Sequence, residues 1–260
     1  MTNVIILAAG LGSRLLPLTK DKPKSLIEFA GKSLLENQIE LFRKNGIQDI
    51  SIVTGYNKDK FSLKDINYFE NLEYKQTSTL LSLFCAKQKI MNSTIISYAD
   101  IIFEENILKK LLNTQDEISL VNDRKWLEYW NIRPDETSDE ATETVYVDQK
   151  NCVRFLGKKI QDSNAHFIGL MKLQNSGTQK FLESFEILKK NYEKEKERIE
   201  TNLTFNSLRI ADLLQMMIKN NVEIKSIPTD NGWLEFDTIN DLNLYNEMYE
   251  KKSLQKFIKL

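Results

Sequence analysis

The feature that most limits the possible folds is a mostly apolar run near the N-terminus that ends in a glycine-containing loop. The run covers Asn3 to Ala8, and the polar loop after it is rich in Gly, Pro and Lys up to about Lys32. A short apolar run that stops at glycine is typical of a strand buried on both faces. Because such strands occur mainly in parallel sheets covered by helices, the run predicts an α/β fold.

The segments that follow alternate between helical and strand-like patterns. Ser33 with Glu36 predicts a capped helix start, and a second helical pattern covers about Ser78 to Ile90. Apolar runs at Ile50 to Val53 and Thr94 to Tyr98 predict strands. Strand, helix and strand at these spacings imply right-handed βαβ units and a parallel sheet.

After Glu117 the pattern changes to shorter strands and then to helices. Strands are predicted at Ile118–Val121, Thr144–Val147, Val153–Leu156, Phe167–Leu170 and Val222–Ile227, and helices at about Ser176–Tyr192, at Ser207–Asn220 and from about Thr238 onward. No repeat and no linker divides the chain. We therefore expect one domain over residues 1–260, with halves 1–117 and 118–260.

Charge and composition exclude several classes of protein. The net charge of −1 gives no global field that would attract a nucleic acid. The apolar run Val4 to Ala9 is too short to span a membrane and lacks the pattern of a secretory signal, so we expect a cytoplasmic protein without a membrane partner. Cys85, Cys152 and a single histidine give neither a zinc spacing nor a disulfide framework.

The loop after the first strand has the composition of a phosphate-binding turn. A dinucleotide fingerprint would need a third glycine where the chain has Leu15, and a Walker A loop would need glycine where Pro23 precedes Lys24. What remains is a turn of small residues whose backbone N–H groups can approach an anion. Arg14 and Lys24 supply two positive charges near this turn.

Two aspartates are predicted to meet the loop. Asp100 follows the strand Thr94 to Tyr98, so its carboxylate should lie at the sheet edge that carries the loop. Asp237 ends a second apolar stretch before a helix, and Glu235 beside it is a third candidate. Carboxylates are ligands that Mg²⁺ prefers. The alternative is that Asp237 caps a helix, Asp100 begins a loop and Glu235 faces solvent.

The N-terminal sequence resembles the signature of the sugar-nucleotide pyrophosphorylase superfamily. The resemblance rests on the string Leu-Ala-Ala-Gly-x-Gly-Ser-Arg-Leu-x-Pro-Leu-Thr-x-x-x-Pro-Lys-Ser-Leu, which begins at Leu7. It implies a Rossmann-like, three-layer nucleotidyltransferase fold with a central mixed, mostly parallel sheet. It also implies that residues 1–117 bind the nucleotide, whereas residues 118–260 bind the acceptor and end in a helix.

The same resemblance implies roles for individual residues. Arg14 and Lys24 stabilise the reacting phosphates and are the catalytic candidates, while Asp100 and Asp237 hold Mg²⁺, with Glu235 as a weaker ligand. The predicted nucleotide contacts are Leu7, Ala8, Ala9, Gly10, Gly12, Ser13, Arg14, Thr79, Ser82 and Asp100.

Later segments are similar to one branch of this superfamily. They are Asp123–Trp130, Gly157–Lys159, Phe167–Leu170, Ala211–Gln215 and Gly232–Asp237. The branch transfers CMP from CTP to small zwitterionic acceptors, as in phosphocholine, 2-aminoethylphosphonate and phosphoglutamine cytidylyltransferases. One alternative is a sugar-1-phosphate uridylyl- or thymidylyltransferase. Another is a non-catalytic nucleotide-sensing subunit, which the presence of Asp100, Asp237 and Lys24 disfavours.

The acceptor contacts follow from the charge such a molecule carries. Lys159, or Lys158 beside it, is the candidate for the acceptor phosphate, although both are equally well explained as surface lysines. Arg133 is the candidate for an acceptor carboxylate, which would favour phosphoglutamine over phosphocholine. Trp126, with Tyr129 and Trp130, is the candidate wall for an ammonium group, although aromatic clusters more often form a core.

The chain departs from the branch at the segment expected to contact the base. Ser78 and Thr79 stand where the branch shows paired asparagines, so recognition of cytosine is left open. The hydroxyls of Thr79 and Ser82 are still predicted to bind the base or ribose. His166 stands where the branch often has glutamine and is predicted to be structural. The acceptor, the oligomeric state and the pathway are not determined by the sequence.

Overall fold

The computed structural model describes residues 1–133, 143–157, 163–199 and 201–260. Its strands are β1 (Asn3–Ala8), β2 (Glu28–Phe29), β3 (Lys32–Ser33), β4 (Ile50–Thr54), β5 (Asn67–Glu70), β6 (Ser93–Tyr98), β7 (Ile101–Phe103), β8 (Ile118–Asp123), β9 (Thr144–Val147), β10 (Val153–Gly157), β11 (Ala165–Gln174), β12 (Lys225–Thr229) and β13 (Trp233–Glu235). Its helices are α1 (Leu34–Lys44), α2 (Thr79–Cys85), α3 (Glu105–Asn113), α4 (Trp126–Trp130), α5 (Ser176–Lys190), α6 (Tyr192–Arg198), α7 (Ile210–Lys219) and α8 (Ile239–Glu250).

One mixed sheet forms the centre of the molecule. The strand order is β10-β9-β11-β6-β1-β4-β5, and β8 continues the sheet from β11 to β12. Strands β4 and β6 both run parallel to β1, whereas β11 runs antiparallel to β6, β8 and β9. Strand β11 therefore joins the part of the sheet before residue 117 to the part after it.

Every residue of β1 is buried, as its apolar run predicts. The strand lies between β4 and β6, with Ala8 opposite Thr54 and Leu7 opposite Tyr98. Since all three strands point the same way, their carboxyl ends meet at one edge of the sheet. The loop after Ala8 and the segment after Tyr98 both begin at this edge.

Helices cover both faces of the sheet and produce two separate apolar cores. Alternate β1 residues enter different cores, so Val4 and Ile6 pack on one face while Ile5 and Leu7 pack on the other. The first core contains side chains of α1, α3, α4 and α8, and the second contains those of α2, α5 and α7. The predicted α/β, Rossmann-like three-layer fold with a mixed, mostly parallel sheet is confirmed.

Two helix starts are fixed by the caps that the sequence contains. The Ser33 hydroxyl accepts a hydrogen bond from the Glu36 N–H at 3.1 Å, and the Glu36 carboxylate accepts one from the Ser33 N–H at 2.9 Å. This capping box starts α1 where it is predicted. Thr238 forms the same reciprocal pair with Asp241 at the start of α8.

Other elements differ from the sequence prediction. The helix expected over about Ser78 to Ile90 is shorter, because α2 ends at Cys85 and only a 3-10 turn, Lys87–Lys89, follows. Strand β11 is longer than the predicted Phe167 to Leu170. Strands β5 and β7 and helices α3 and α4 were not predicted. For β5, β7 and α4 the patterns are too short, or too interrupted by polar residues, to show a clear period. Helix α3 does have helical spacing, since Ile107, Leu108 and Leu111 are buried on one face, and it was overlooked.

Candidate active site

A cavity of about 410 Å³ opens at the carboxyl edge of β1 and β6. Its wall contains the loop after β1, the end of β6, and residues from β11 and β13. The lining residues are Leu7, Ala8, Gly10, Gly12, Ser13, Arg14, Lys24, Ser25, Thr79, Tyr98, Ala99, Asp100, Trp130, Glu143, His166, Glu235 and Asp237. The predicted phosphate loop and the predicted carboxylates therefore share one cavity.

Asp100 and Asp237 meet because two short strands pair with each other. Strand β13 runs antiparallel to β7, with Glu235 opposite Ile101. The Phe236 N–H donates to the Asp100 carbonyl oxygen at 3.0 Å, just outside this pair. A two-stranded ribbon thus brings a residue from near the C-terminus to the end of β6.

Lys24 lies between the two aspartates. Its Nζ donates to Asp100 Oδ2 at 2.8 Å and to Asp237 Oδ1 at 2.6 Å. Arg14 Nη2 contacts the same Asp237 oxygen at 3.0 Å from a more exposed position. Two cations of the glycine-containing loop are therefore in direct contact with two carboxylates that come from two distant segments of the chain.

These contacts influence the protonation states of Lys24, Asp237 and Glu235. Burial favours the neutral form of Lys24, but the negative charges of Asp100 and Asp237 hold its pKa above the ordinary value. Burial likewise favours neutral Asp237, but Lys24 and Arg14 hold the pKa of Asp237 below its ordinary range. Burial and the charge of Asp237 raise the pKa of Glu235 well above its usual value, despite Arg133. Lys24 and Asp237 are therefore both charged at neutral pH.

The shape of the glycine loop explains how Lys24 reaches the aspartates. Gly12 has a φ of +62°, and a Cβ at this position would lie 2.9 Å from Lys24 Cβ. The buried Thr19 hydroxyl donates to the Gly12 carbonyl at 2.8 Å and fixes the turn. Glycine is needed here both for its backbone conformation and for the close approach of the lysine stem.

Arg133 is buried beneath the carboxylates rather than exposed to the cavity. Its guanidinium donates to both oxygens of Asp241 at 3.0 and 2.9 Å and to Glu235 Oε2 at 3.0 Å. It also contacts Asp237 Oδ2 at 3.4 Å and lies 4.7 Å from the centroid of the Trp130 ring. The guanidinium, which was predicted to meet an acceptor carboxylate, is therefore paired with the chain's own carboxylates and does not line the cavity.

A second polar pair lies in the same wall. The Tyr98 hydroxyl donates to Glu143 Oε1 at 3.0 Å, and both residues line the cavity. Burial raises the pKa of Glu143 to about 7, although the positive charge of Arg209 opposes this rise. Neither residue was predicted from the sequence. For Tyr98 the position at the end of β6 was an available signal, whereas nothing distinguished Glu143.

His166 is packed among aromatic rings. Its ring centroid is 4.5 Å from that of Trp130 and 6.1 Å from that of Trp233. Burial, with a further contribution from the charge of Arg133, lowers the pKa of His166 to about 3. The imidazole is therefore neutral at physiological pH.

The structure brings most of the predicted site residues to the cavity, but not all of them. Ala9 and Ser82 are buried outside the lining, and Ser82 Oγ accepts a hydrogen bond from Asn71 Nδ2 at 2.9 Å. Trp126 is buried against Trp130 and His166 in the aromatic cluster. Lys158 and Lys159 lie outside the described residues.

The carboxylates fit a divalent ion that is shared with a bound nucleotide. Within the described ranges, Asp100 Oδ1 is buried and has no hydrogen-bond partner, while Asp100 and Asp237 each place an oxygen on the same ammonium. No group of three or more His, Cys, Asp or Glu in this part of the chain forms a complete metal cage. A pair of carboxylates that leaves further positions to phosphate and water is an arrangement typical of Mg²⁺.

Comparison with known proteins agrees with this geometry. Residues 4–134 match the model of the MobA-like NTP transferase domain. The chain is 31% identical to the CTP:phosphoglutamine cytidylyltransferase of Campylobacter jejuni over 94% of its own length and 99% of that protein. It is 33% identical to the choline-phosphate cytidylyltransferase of Streptococcus pneumoniae over 57% of its length and 65% of that protein.

The fold of this chain is also that of a solved structure. The CTP:phosphocholine cytidylyltransferase from Streptococcus pneumoniae superimposes with a TM-score of 0.71 at 22% identity, covering 95% of this chain and 99% of that one.

From the family model and the full-length similarity, the chain belongs to the MobA-like NTP transferase domain family, in its cytidylyltransferase branch. It is an enzyme of the nucleotidyltransferase class, a class that generally uses a divalent metal. None of the described helices is both long and apolar enough to cross a membrane.

Proposed function

We propose that this enzyme transfers CMP from CTP to a small, zwitterionic phosphorylated or phosphonate acceptor and releases pyrophosphate. Phosphoglutamine, phosphocholine and 2-aminoethylphosphonate are the acceptor types that the proposal covers. The observation that carries it is the contact of Lys24 Nζ with both Asp100 and Asp237 beside the glycine loop. The similarity over nearly the full length of a phosphoglutamine cytidylyltransferase supports cytosine as the base.

The nucleotide would occupy the cavity edge formed by the first half of the chain. Gly10, Gly12 and Ser13 line this edge and present a turn of small residues to the triphosphate. Thr79 lies in the same wall and is the candidate for the ribose or base, whereas Ser82 is committed to Asn71. In this proposal residues 1–117 bind the nucleotide and residues 118–260 bind the acceptor.

The metal is proposed to be Mg²⁺, held by Asp100 and Asp237 together with the nucleotide phosphates. When bound, it supplies positive charge that neutralises the α-phosphate and orients the pyrophosphate leaving group. Glu235 would support the site less directly, because its Oε2 accepts a hydrogen bond from Arg133. Arg133 would hold Asp237 in place from below.

The reaction would be one in-line displacement. An oxygen of the acceptor phosphate or phosphonate forms a new bond to the α-phosphorus of CTP, and the bond from that phosphorus to the bridging oxygen breaks, so pyrophosphate leaves with both electrons. Lys24 would exchange its carboxylate contacts for the oxygens of the α-phosphate, where negative charge accumulates. Because the acceptor is already an anion, no general base and no covalent intermediate are required.

A pyrophosphate-release assay tests the proposal. CTP, UTP, dTTP and ATP are each paired with phosphoglutamine, phosphocholine, 2-aminoethylphosphonate and glucose 1-phosphate in the presence of Mg²⁺. We expect turnover with CTP and at least one of the three zwitterions, and its loss with EDTA. Turnover only with glucose 1-phosphate and UTP or dTTP would show a sugar-1-phosphate uridylyl- or thymidylyltransferase instead. A cytoplasmic location stays a prediction.

A further inference from the structure

The cavity contains a carboxylate that the transfer reaction does not use. Glu143 lines the cavity together with Asp100 and Asp237, but neither Lys24 nor Arg14 contacts it among the described ion pairs. Only 9% of Glu143 is exposed, and its Oε1 accepts the 3.0 Å hydrogen bond from Tyr98. It therefore forms a polar site separate from the proposed metal carboxylates.

The backbone of β11 holds this pair in place. The Phe167 N–H donates to the Glu143 carbonyl oxygen at 2.9 Å. Gly169 has a φ of +80°, and a Cβ there would lie 2.5 Å from Tyr98 Cδ2, so the Tyr98 ring packs directly on the glycine. Both residues are thus positioned by one strand, which makes their shared hydrogen bond a fixed part of the wall.

The burial of Glu143 makes its carboxylate a site that a positively charged ligand would stabilise. Burial raises its pKa to about 7; Arg209 lowers it, and Asp212 and Asp100 add to the rise. Arg209 is itself paired with Asp212 at 3.2 Å. The carboxylate is desolvated, and Arg209, the strongest charge acting on it, is shared with Asp212, so a cation in the cavity would further stabilise the ionised form of Glu143.

We propose that Glu143, positioned by Tyr98, binds the ammonium group of the acceptor and so selects acceptors that carry a protonated amine. This inference rests on the proposed function, because it assigns one end of the acceptor in the same cavity. The amino group of cytosine is another N–H donor, but it is uncharged. Because Glu143 is buried, its negative charge is compensated better by a cation than by a neutral donor, and charge-assisted hydrogen bonds are the stronger kind.

The test replaces Glu143 by Gln, which removes the charge and keeps the shape. Initial rates with CTP are measured for two acceptors, the amine 2-aminoethylphosphonate and its neutral analogue propylphosphonate, in which a methyl group replaces the ammonium. For Glu143→Gln we expect KM for the amine acceptor to rise roughly tenfold, equivalent to about 1.4 kcal/mol. The KM for propylphosphonate and the KM for CTP should stay within about twofold of wild type, since neither propylphosphonate nor CTP would contact the lost charge. The kcat should also stay within about twofold.

Tyr98→Phe serves as a second variant that keeps the carboxylate. It should raise KM for the amine acceptor by a smaller factor, again without an effect on propylphosphonate, because only the positioning hydrogen bond is lost. Thermal unfolding of both variants checks that the fold is retained. If Glu143→Gln does not fold, the selectivity of Tyr98→Phe decides the question.

Several results would overturn the proposal. A raised KM for CTP with an unchanged acceptor KM would assign Glu143 to the base. Equal increases for both phosphonates would indicate a general structural role. Normal wild-type turnover with an unchanged KM for the amine acceptor in Glu143→Gln would overturn this inference alone. Absence of CTP-dependent pyrophosphate release by the wild type with every acceptor would overturn the proposed function as well.

Discussion

Replacing Lys24 by Met separates what its ammonium contributes to folding stability from what it contributes to catalysis. The side chain is only 15% exposed and contacts carboxylates that are 28% and 12% exposed. One charge pair at about 4 Å in an effective dielectric of about 20 is worth about 4 kcal/mol before desolvation. Breaking a buried pair costs about 3–5 kcal/mol, but water reaches Asp100 in part, so we expect the variant to lose about 2–3 kcal/mol of unfolding free energy without metal.

The same variant should lose far more activity than stability explains. A preorganised donor at a developing anionic oxygen typically contributes about 10²–10³ in kcat, and we expect Lys24→Met to lose at least that much. Urea unfolding gives the stability, and pyrophosphate release at saturating CTP and acceptor gives kcat. Lys20→Ala is the matched control, since Lys20 is an exposed lysine of the same loop. A kcat for Lys24→Met within threefold of wild type would refute the role assigned to Lys24.

Three further predictions follow from the same contacts. Gly12→Ala should lower the unfolding free energy by about 1–2 kcal/mol, because Gly12 has a φ of +62° and the new Cβ would lie 2.9 Å from Lys24 Cβ. Gly10→Ala is the control in thermal unfolding and should be near neutral, because a Cβ at Gly10 would meet nothing within 4 Å. Arg133→Met should cost about 3–5 kcal/mol in urea unfolding, since it leaves buried carboxylates without their partner; a cost below about 1 kcal/mol would contradict this. The unfolded state protonates His166 near pH 6.5 and the folded state only near pH 3, so stability falls as pH drops between these values. The wild type should lose about 2 kcal/mol more than His166→Gln between pH 7 and pH 5, and equal losses would refute the depressed pKa.

The N-terminal half of the site was largely predictable because strand and loop follow each other in sequence. A buried parallel strand fixes the direction of the glycine loop, and a second parallel strand places Asp100 at the same edge. The position of Asp237 near that edge came from the family resemblance. The pairing of β7 with β13 supplies the physical cause, and three-residue strands carry too little periodicity to be recognised from sequence.

The acceptor side was much less predictable. Arg133 looked available for a ligand because sequence does not show that three acidic residues surround it in the fold. Its partners lie more than a hundred residues away, and the burial that drives their pairing is a property of packing. Glu143 was missed for the same reason, since only the contact with Tyr98 and the cavity wall distinguish it from other acidic residues.

The proposed metal site is tested most directly in crystals grown with CTP and with Mn²⁺ as a substitute for Mg²⁺. Anomalous scattering at a wavelength where manganese contributes strongly identifies the ion without reference to its coordination. We expect a peak between the carboxylates of Asp100 and Asp237, with the Lys24 ammonium moved from these oxygens to the α-phosphate. A nucleotide bound on the glycine loop with Lys24 still between the aspartates, and the manganese elsewhere or absent, would contradict it.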